Sequence, residues 1–134
     1  MHAGQAQKEA FVNEVAMRLD ALVHGAIEGE AAAPPASPVD GECWLVAANP
    51  TGDWSGHAGQ VAVFGSGGWL FCEVRDGMRL LNRNTGQDIR FHSSWHIPVR
   101  PSLPAGGATI DVEARTALAA IVAVLTEAGI VPAS

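Results

Sequence analysis

The tightest constraint on the fold is a stretch from Gly41 to about Pro98, where short apolar runs alternate with tight-turn residues. Cys43-Trp44-Leu45-Val46-Ala47 is followed by the turn cluster Asn49-Pro50-Thr51-Gly52-Asp53, where Pro presets φ and Gly admits positive φ. Gln60 to Phe64 and Trp69 to Val74 flank Gly65-Ser66-Gly67-Gly68. Arg75-Asp76-Gly77 leads into Met78 to Asn82, and Asn84-Thr85-Gly86 into Asp88 to Phe91. Short strands joined by such turns describe an antiparallel meander of about five strands. No helical period interrupts them, which argues against a parallel βαβ sheet.

Helical patterns lie on either side. Val12, Val15, Leu19, Leu22 and Ala26 recur at spacings of three and four, the a and d positions of a heptad that extends back to Gln5 and Lys8. Phe11, Ala16, Val23 and Ile27 widen this stripe beyond a two-position seam. So broad a face has to pack on two sides, its own domain and, as one reading, a symmetry mate, although a lone helix of about three heptads is more often a core helix than a coiled coil. At the other end Asp111 can cap a helix, Glu113 favours its first turn and Gly129 suits the C′ position. Ala114, Leu118, Ile121, Leu125 and Ala128 line one side of it, with Ala117, Val122 and Val124 beside them. A helix apolar over most of its circumference is expected to be buried against the sheet, the first helix or a neighbouring subunit. The expected fold is α+β in a single domain over 1–134. It comprises an N-terminal helix (1–29), a Pro/Ala linker (30–40), the β-meander (41–98), a connector (99–108) and a C-terminal apolar helix (109–129).

Composition narrows the function. A chain of 134 residues with 48% hydrophobic and only 16% charged residues builds a core without staples but has little charge to cover its surface, which favours homo-oligomers. Fourteen acidic against eight basic residues argue against nucleic acid as a partner, since no broad basic face displaces counterions from phosphates. No run of 18 apolar residues suggests a membrane span, and the polar N-terminus lacks the build of a secretory signal, so synthesis in the cytoplasm is expected. Cys43 and Cys72 fall in strands and read as buried apolar fillers, with a disulfide or redox pair as the alternative.

Chemistry-bearing motifs are scarce, and neither an enzyme nor a cofactor is expected. His92 and His96 are four apart on strand and turn, too far apart along a strand to share one ion easily. No serine stands in a nucleophile elbow, and Gly65-Ser66-Gly67-Gly68 lacks the lysine of a phosphate loop. The carboxylates are scattered over strand ends and turns, and nothing selects a catalytic pair among them. Of the four tryptophans, Trp44 and Trp69 lie inside apolar strands and are expected in the core. Trp54 and Trp95 lie among polar residues. With Asp53 and His57 they form a possible saccharide platform, although subunit or internal packing suits them too.

Several motifs carry a resemblance. They are the opening Ala3-Gly4-Gln5-Ala6-Gln7-Lys8-Glu9, Gly41-Glu42-Cys43-Trp44-Leu45-Val46, Thr51-Gly52-Asp53-Trp54-Ser55-Gly56-His57 and the closing Gly106-Gly107-Ala108-Thr109-Ile110-Asp111. Together they are similar to an uncharacterised domain of prophages and gene transfer agents, the phage-like particles that package host DNA. The resemblance implies a virion component of a tail fibre or head spike, concerned with attachment to the recipient cell, and it transfers no catalytic residue. The chain starts at the motif and stops soon after the closing helix, so a base or adaptor docking onto capsid, tail or spike fibre is expected rather than a receptor-reading tip. Such a protein would be made in the cytoplasm and assembled into an extracellular particle. Val12, Val15, Leu19, Leu22, Leu118, Ile121 and Leu125 are the expected interface of a trimer or pentamer. A module binding cell-surface polysaccharide is the competing function.

Overall fold

The structure is a computed structural model describing residues 3–133. Its fold is α+β, an N-terminal helix, two four-stranded sheets rich in antiparallel pairs, and a C-terminal helix. Helix α1 covers Ala3–Val23, followed by strands β1 (Ala26–Ile27), β2 (Glu30–Ala31) and β3 (Cys43–Val46). A single 3₁₀ turn (Gly52–Trp54) precedes β4 (Val61–Gly65) and β5 (Gly68–Cys72). Then come β6 (Arg79–Asn82), β7 (Gln87–His92), β8 (Ser94–His96) and helix α2 (Val112–Glu127).

The expected meander is present in two halves. β3, β4 and β5 pair antiparallel in one sheet, and β6, β7 and β8 do so in the other. The stretch from Gly41 to Pro98 holds six strands rather than five, because Ser93 takes positive φ (59°) and folds Ser94–His96 back onto β7. Two further strands come from residues assigned by spacing to the helix end and the linker. α1 stops at Val23, and Ala26 and Ile27 leave the heptad to pair parallel with Leu81 and Asn82. Glu30 and Ala31, placed in the linker, pair parallel with Leu45 and Val46.

Gly25 ends the helix. A Cβ there would sit 2.7 Å from Leu80 Cδ2 and 3.0 Å from the Arg79 carbonyl oxygen, so only glycine lets the chain approach β6 so closely. The chain from Gly25 to Ala31 then bonds to both sheets. Leu81 and Arg83 donate backbone N–H groups to the carbonyls of Gly25 and Ile27, while Leu45 and Ala47 donate to those of Gly29 and Ala31.

The main core lies between the sheets. Cys43, Leu45, Val61, Val63 and Cys72 face Ile27, Leu80 and Ile89, with Ala21 of α1 and half-buried Met17 closing one end. The sheet holding β6 and β7 is one-faced, with Leu80, Asn82, Gln87 and Ile89 buried and the residues between them mostly exposed. The other sheet is apolar on both faces. Val46 and Ala62 on its far side belong to a second cluster around Trp54.

Cys43 and Cys72 are free and buried on the inner face of the sheet. Cys43 is level with Val63 and Cys72 with Val61, so all of β4 lies between them. Two strand spacings amount to about 9–10 Å, outside the reach of a disulfide. Burial pushes the Cys43 thiol up to about 11, Cys72 adding to the effect.

Two outcomes follow from this packing. Gly25→Ala is expected to cost about 1–3 kcal/mol in urea denaturation, the usual penalty of overpacking. Gly4→Ala, with open space around it, is expected to cost nothing measurable. For Cys43 the unfolded chain ionises first, near 9.0, so stability should be intact below that pH and fall as pH rises towards about 11. The loss is roughly 1.4 kcal/mol per pH unit at most, and denaturation of Cys43→Ala at the same pH values should show a flatter profile.

Candidate self-association surface

α1 touches its own domain along one narrow side. Met17 and Ala21 pack on the core, and Gly65 of β4 is close enough that a Cβ there would meet the Met17 side chain. Arg18 donates to the Phe71 carbonyl of edge strand β5 (3.1 Å) and pairs with Glu14 one turn earlier (2.9 Å). At 3.6 residues per turn, Met17 and Ala21 lie about 140–180° from the centre of the heptad stripe, and Arg18 lies beside its edge at Phe11 and Leu22. The stripe faces solvent: Phe11, Val12, Val15, Leu19, Leu22 and Val23 are between 40% and 68% exposed. Six large apolar side chains in one row exceed what a monomer ordinarily leaves bare. Covering the exposed part is worth about 1 kcal/mol per residue, on the order of 5 kcal/mol per copy.

The structure therefore brings Val12, Val15, Leu19 and Leu22 together on one face. Ala26 and Ile27, expected to extend that face, do not join it, since Ile27 is fully buried in β1. Sequence spacing located the stripe but did not reveal which side of the helix the domain occupies. Met17, Arg18 and Ala21 carry no periodic signal of their own.

α2 is held at its C-terminal end. The Asp111 carboxylate accepts from the Ala114 N–H (2.9 Å), and Gly129 takes positive φ (72°), as the sequence indicated for both ends. The Gly129 carbonyl accepts from the Asp88 N–H (2.6 Å), and Arg100 donates to the carbonyls of Pro132 and Ala133. Along the helix Val122 is buried and Leu125 half-buried, while Leu118, Ile121 and Val124 are exposed. Leu125 thus belongs in part to the domain's own packing, whereas Leu118 and Ile121 face solvent.

The residues of the possible saccharide platform are not brought together. Trp54 is 0% exposed, enclosed by Trp69 at 5.0 Å edge-on and Trp44 at 6.4 Å, so it has no face to offer a sugar ring. It anchors the long β3–β4 loop on the outer face of the sheet. Trp44 and Trp69, expected to be core, are only half-buried around it, so the depth order of the three is the reverse of the expectation. Trp95 packs on the other cluster, and its Nε1 donates to the Gly59 carbonyl (2.9 Å). His57 lies flat on Phe71 (ring centroids 3.6 Å apart) with Nδ1 2.8 Å from Gln60 Oε1, while Asp53 is exposed.

A cleft of about 520 Å³ between α1 and the β3–β4 region is lined by Asp20, His24, Asp40, Cys43, Ser66 and Arg83, among others. Arg83 is paired with Glu28 at 2.8 Å, and the Cys43 thiol is held protonated at neutral pH. Among the described residues no group of three or more His, Cys, Asp or Glu side chains is arranged to hold a metal ion. None of their helices is long and apolar enough to cross a membrane.

Trp54→Ala is expected to cost about 3–5 kcal/mol in denaturant unfolding, as a fully buried tryptophan does. A loss below 1 kcal/mol would show that the β3–β4 loop is not anchored by this side chain.

No curated protein and no solved structure matches the chain. A family model matches residues 12–96, from the apolar half of α1 to the end of β8 and short of α2. That span is more than half of the 134 residues, and the chain belongs to the family described as "Protein of unknown function (DUF2793)".

Proposed function

We propose that the chain is a non-catalytic structural module that self-associates through α1 and serves as base or adaptor of a head spike or tail fibre on a phage-like particle. The observation that carries the self-association is the outward heptad stripe from Phe11 to Val23, set on the side of the helix away from the domain. Heptad spacing suits a second copy of the same helix, because each a or d side chain fits a hole made by the same residue types. The particle assignment rests on the resemblance of the motifs at Gly4–Glu9, Gly41–Val46 and Thr51–His57. In this reading the protein is made in the cytoplasm, ends in an extracellular particle and contributes to attachment to the recipient cell. The exposed Leu118 and Ile121 of α2 supply a second surface for a capsid, tail or fibre protein.

Light scattering over a concentration range tests the association directly, and a stable trimer or pentamer is the expected result. Leu19→Asp should raise the dissociation constant about 100-fold or more, since a charge in the seam costs several kcal/mol. The unfolding midpoint of the isolated subunit should hardly move, because Leu19 is 57% exposed within it. A wild-type chain that stays monomeric at high concentration would overturn the proposal.

A further inference from the structure

We infer that α1 joins a closed ring of three or more identical helices, all parallel, with their N-terminal ends together. The inference rests on the self-association proposed above and adds its direction and a geometric reason for three or more copies.

The number comes from width. On a helix of 3.6 residues per turn, Phe11, Val12, Val15, Leu19, Leu22 and Val23 span an arc of about 120°. A strict a/d seam facing one partner is narrower than this. Phe11 and Val23 flank opposite sides of the seam and are 68% and 66% exposed, so a single neighbour seated on the seam covers each of them only along its edge. Two neighbours per helix cover both, and cyclic closure then requires at least three copies. Met17 and Ala21 hold the domain on the side away from the stripe and Arg18 borders the stripe's edge at Phe11 and Leu22, so the domain lies outside such a ring.

The direction comes from the polarity gradient along the seam. Its a and d positions run Gln5, Lys8, Val12, Val15, Leu19 and Leu22, polar at the free end and apolar near the domain. Parallel helices stack like on like. Four apolar layers close near the domains, and the Lys8 ammonium groups gather at the open end, in water and beside Glu9 of the adjoining copy. In a fully overlapped antiparallel pair Gln5 meets Leu22 and Lys8 meets Leu19, which buries an ammonium against leucine. Sliding the pair by one heptad restores the apolar layers but carries Gln5 and Lys8 past Val23, where the partner's helix has ended. A ring of three or five helices related by rotation also admits only the parallel arrangement.

Single cysteines on the full-length chain separate the outcomes, and native Cys43 and Cys72 are buried and stay out of the reaction. In a parallel ring, mild oxidation of Gln5→Cys should give covalent dimers from most of the chains. Ala6→Cys, which faces away from the seam, should give few, with light scattering showing three or more copies for both variants. An assembled Gln5→Cys protein that resists cross-linking, or a particle mass of two copies, would overturn the parallel ring and leave self-association standing. A monomeric mass for the wild-type chain would remove both. Helical content from circular dichroism shows that either variant is folded, and a failure of one is replaced by Gly4→Cys, also next to the seam, read in the same way.

Discussion

The fold depends on seven residues that belong to neither a helix nor a conventional hairpin. From Gly25 to Ala31 the backbone gives its carbonyl groups first to β6 and then to β3, and so joins two sheets that make no hairpin with each other. Both pairings are parallel, which the short turns elsewhere in the chain cannot produce. Ile27, fully buried, stands in the core between the two sheets. The tight approach at Gly25 fixes where this segment starts, and the end of α1 is fixed with it. Helix direction, sheet pairing and core packing therefore converge on one stretch of main chain.

The sequence made the two halves of the meander legible because their turns obey local chemistry. Asn49 and the turn glycines Gly52, Gly67, Gly77 and Gly86 sit where positive φ is needed, and Leu80-Leu81-Asn82 and Gln87 to Phe91 alternate in and out as a one-faced sheet requires. The segment from Ala26 to Ala31 was not legible. Its apolar spacing continues that of α1, and only Gly25 marks the break, which is weak evidence in a helical pattern because isolated glycines are tolerated there. Pairing of Ala26 with Leu81 and of Glu30 with Leu45 leaves no mark in a local window. The tryptophans failed for a related reason. Trp54 looks solvent-exposed among Asp53, Ser55 and Gly56, yet it is the one large apolar side chain of its loop, so it is the part that docks. Trp44 and Trp69 alternate onto the outer face, where only that loop covers them.

The heptad stripe was legible as spacing, and the structure adds its orientation. Three- and four-residue repeats say which side chains share a face but not whether that face looks inward. In α1 Met17, Arg18 and Ala21 make the intramolecular contact, Leu22 borders the cleft beside Arg18 and Phe71, and Phe11, Val12, Leu19 and Val23 stay exposed. That inversion of the usual arrangement separates a helix that completes its own domain from one presented to others. α2 follows a similar logic, with Val122 turned inward and its C-terminal end tied to β7 through Asp88.

Arg18 has an effect at the sheet as well as at the helix. Its guanidinium occupies the Phe71 carbonyl on the open side of β5, a five-residue edge strand with Trp69 and Phe71 on one face. An unpaired edge of that length and hydrophobicity is a template for uncontrolled strand addition. With a cation on the Phe71 acceptor and α1 alongside, the edge is guarded. The guard is the same helix that carries the exposed apolar stripe, so loss of α1 from the domain would uncover this edge to indiscriminate pairing. A correctly seated helix thus keeps that edge closed to open-ended strand addition.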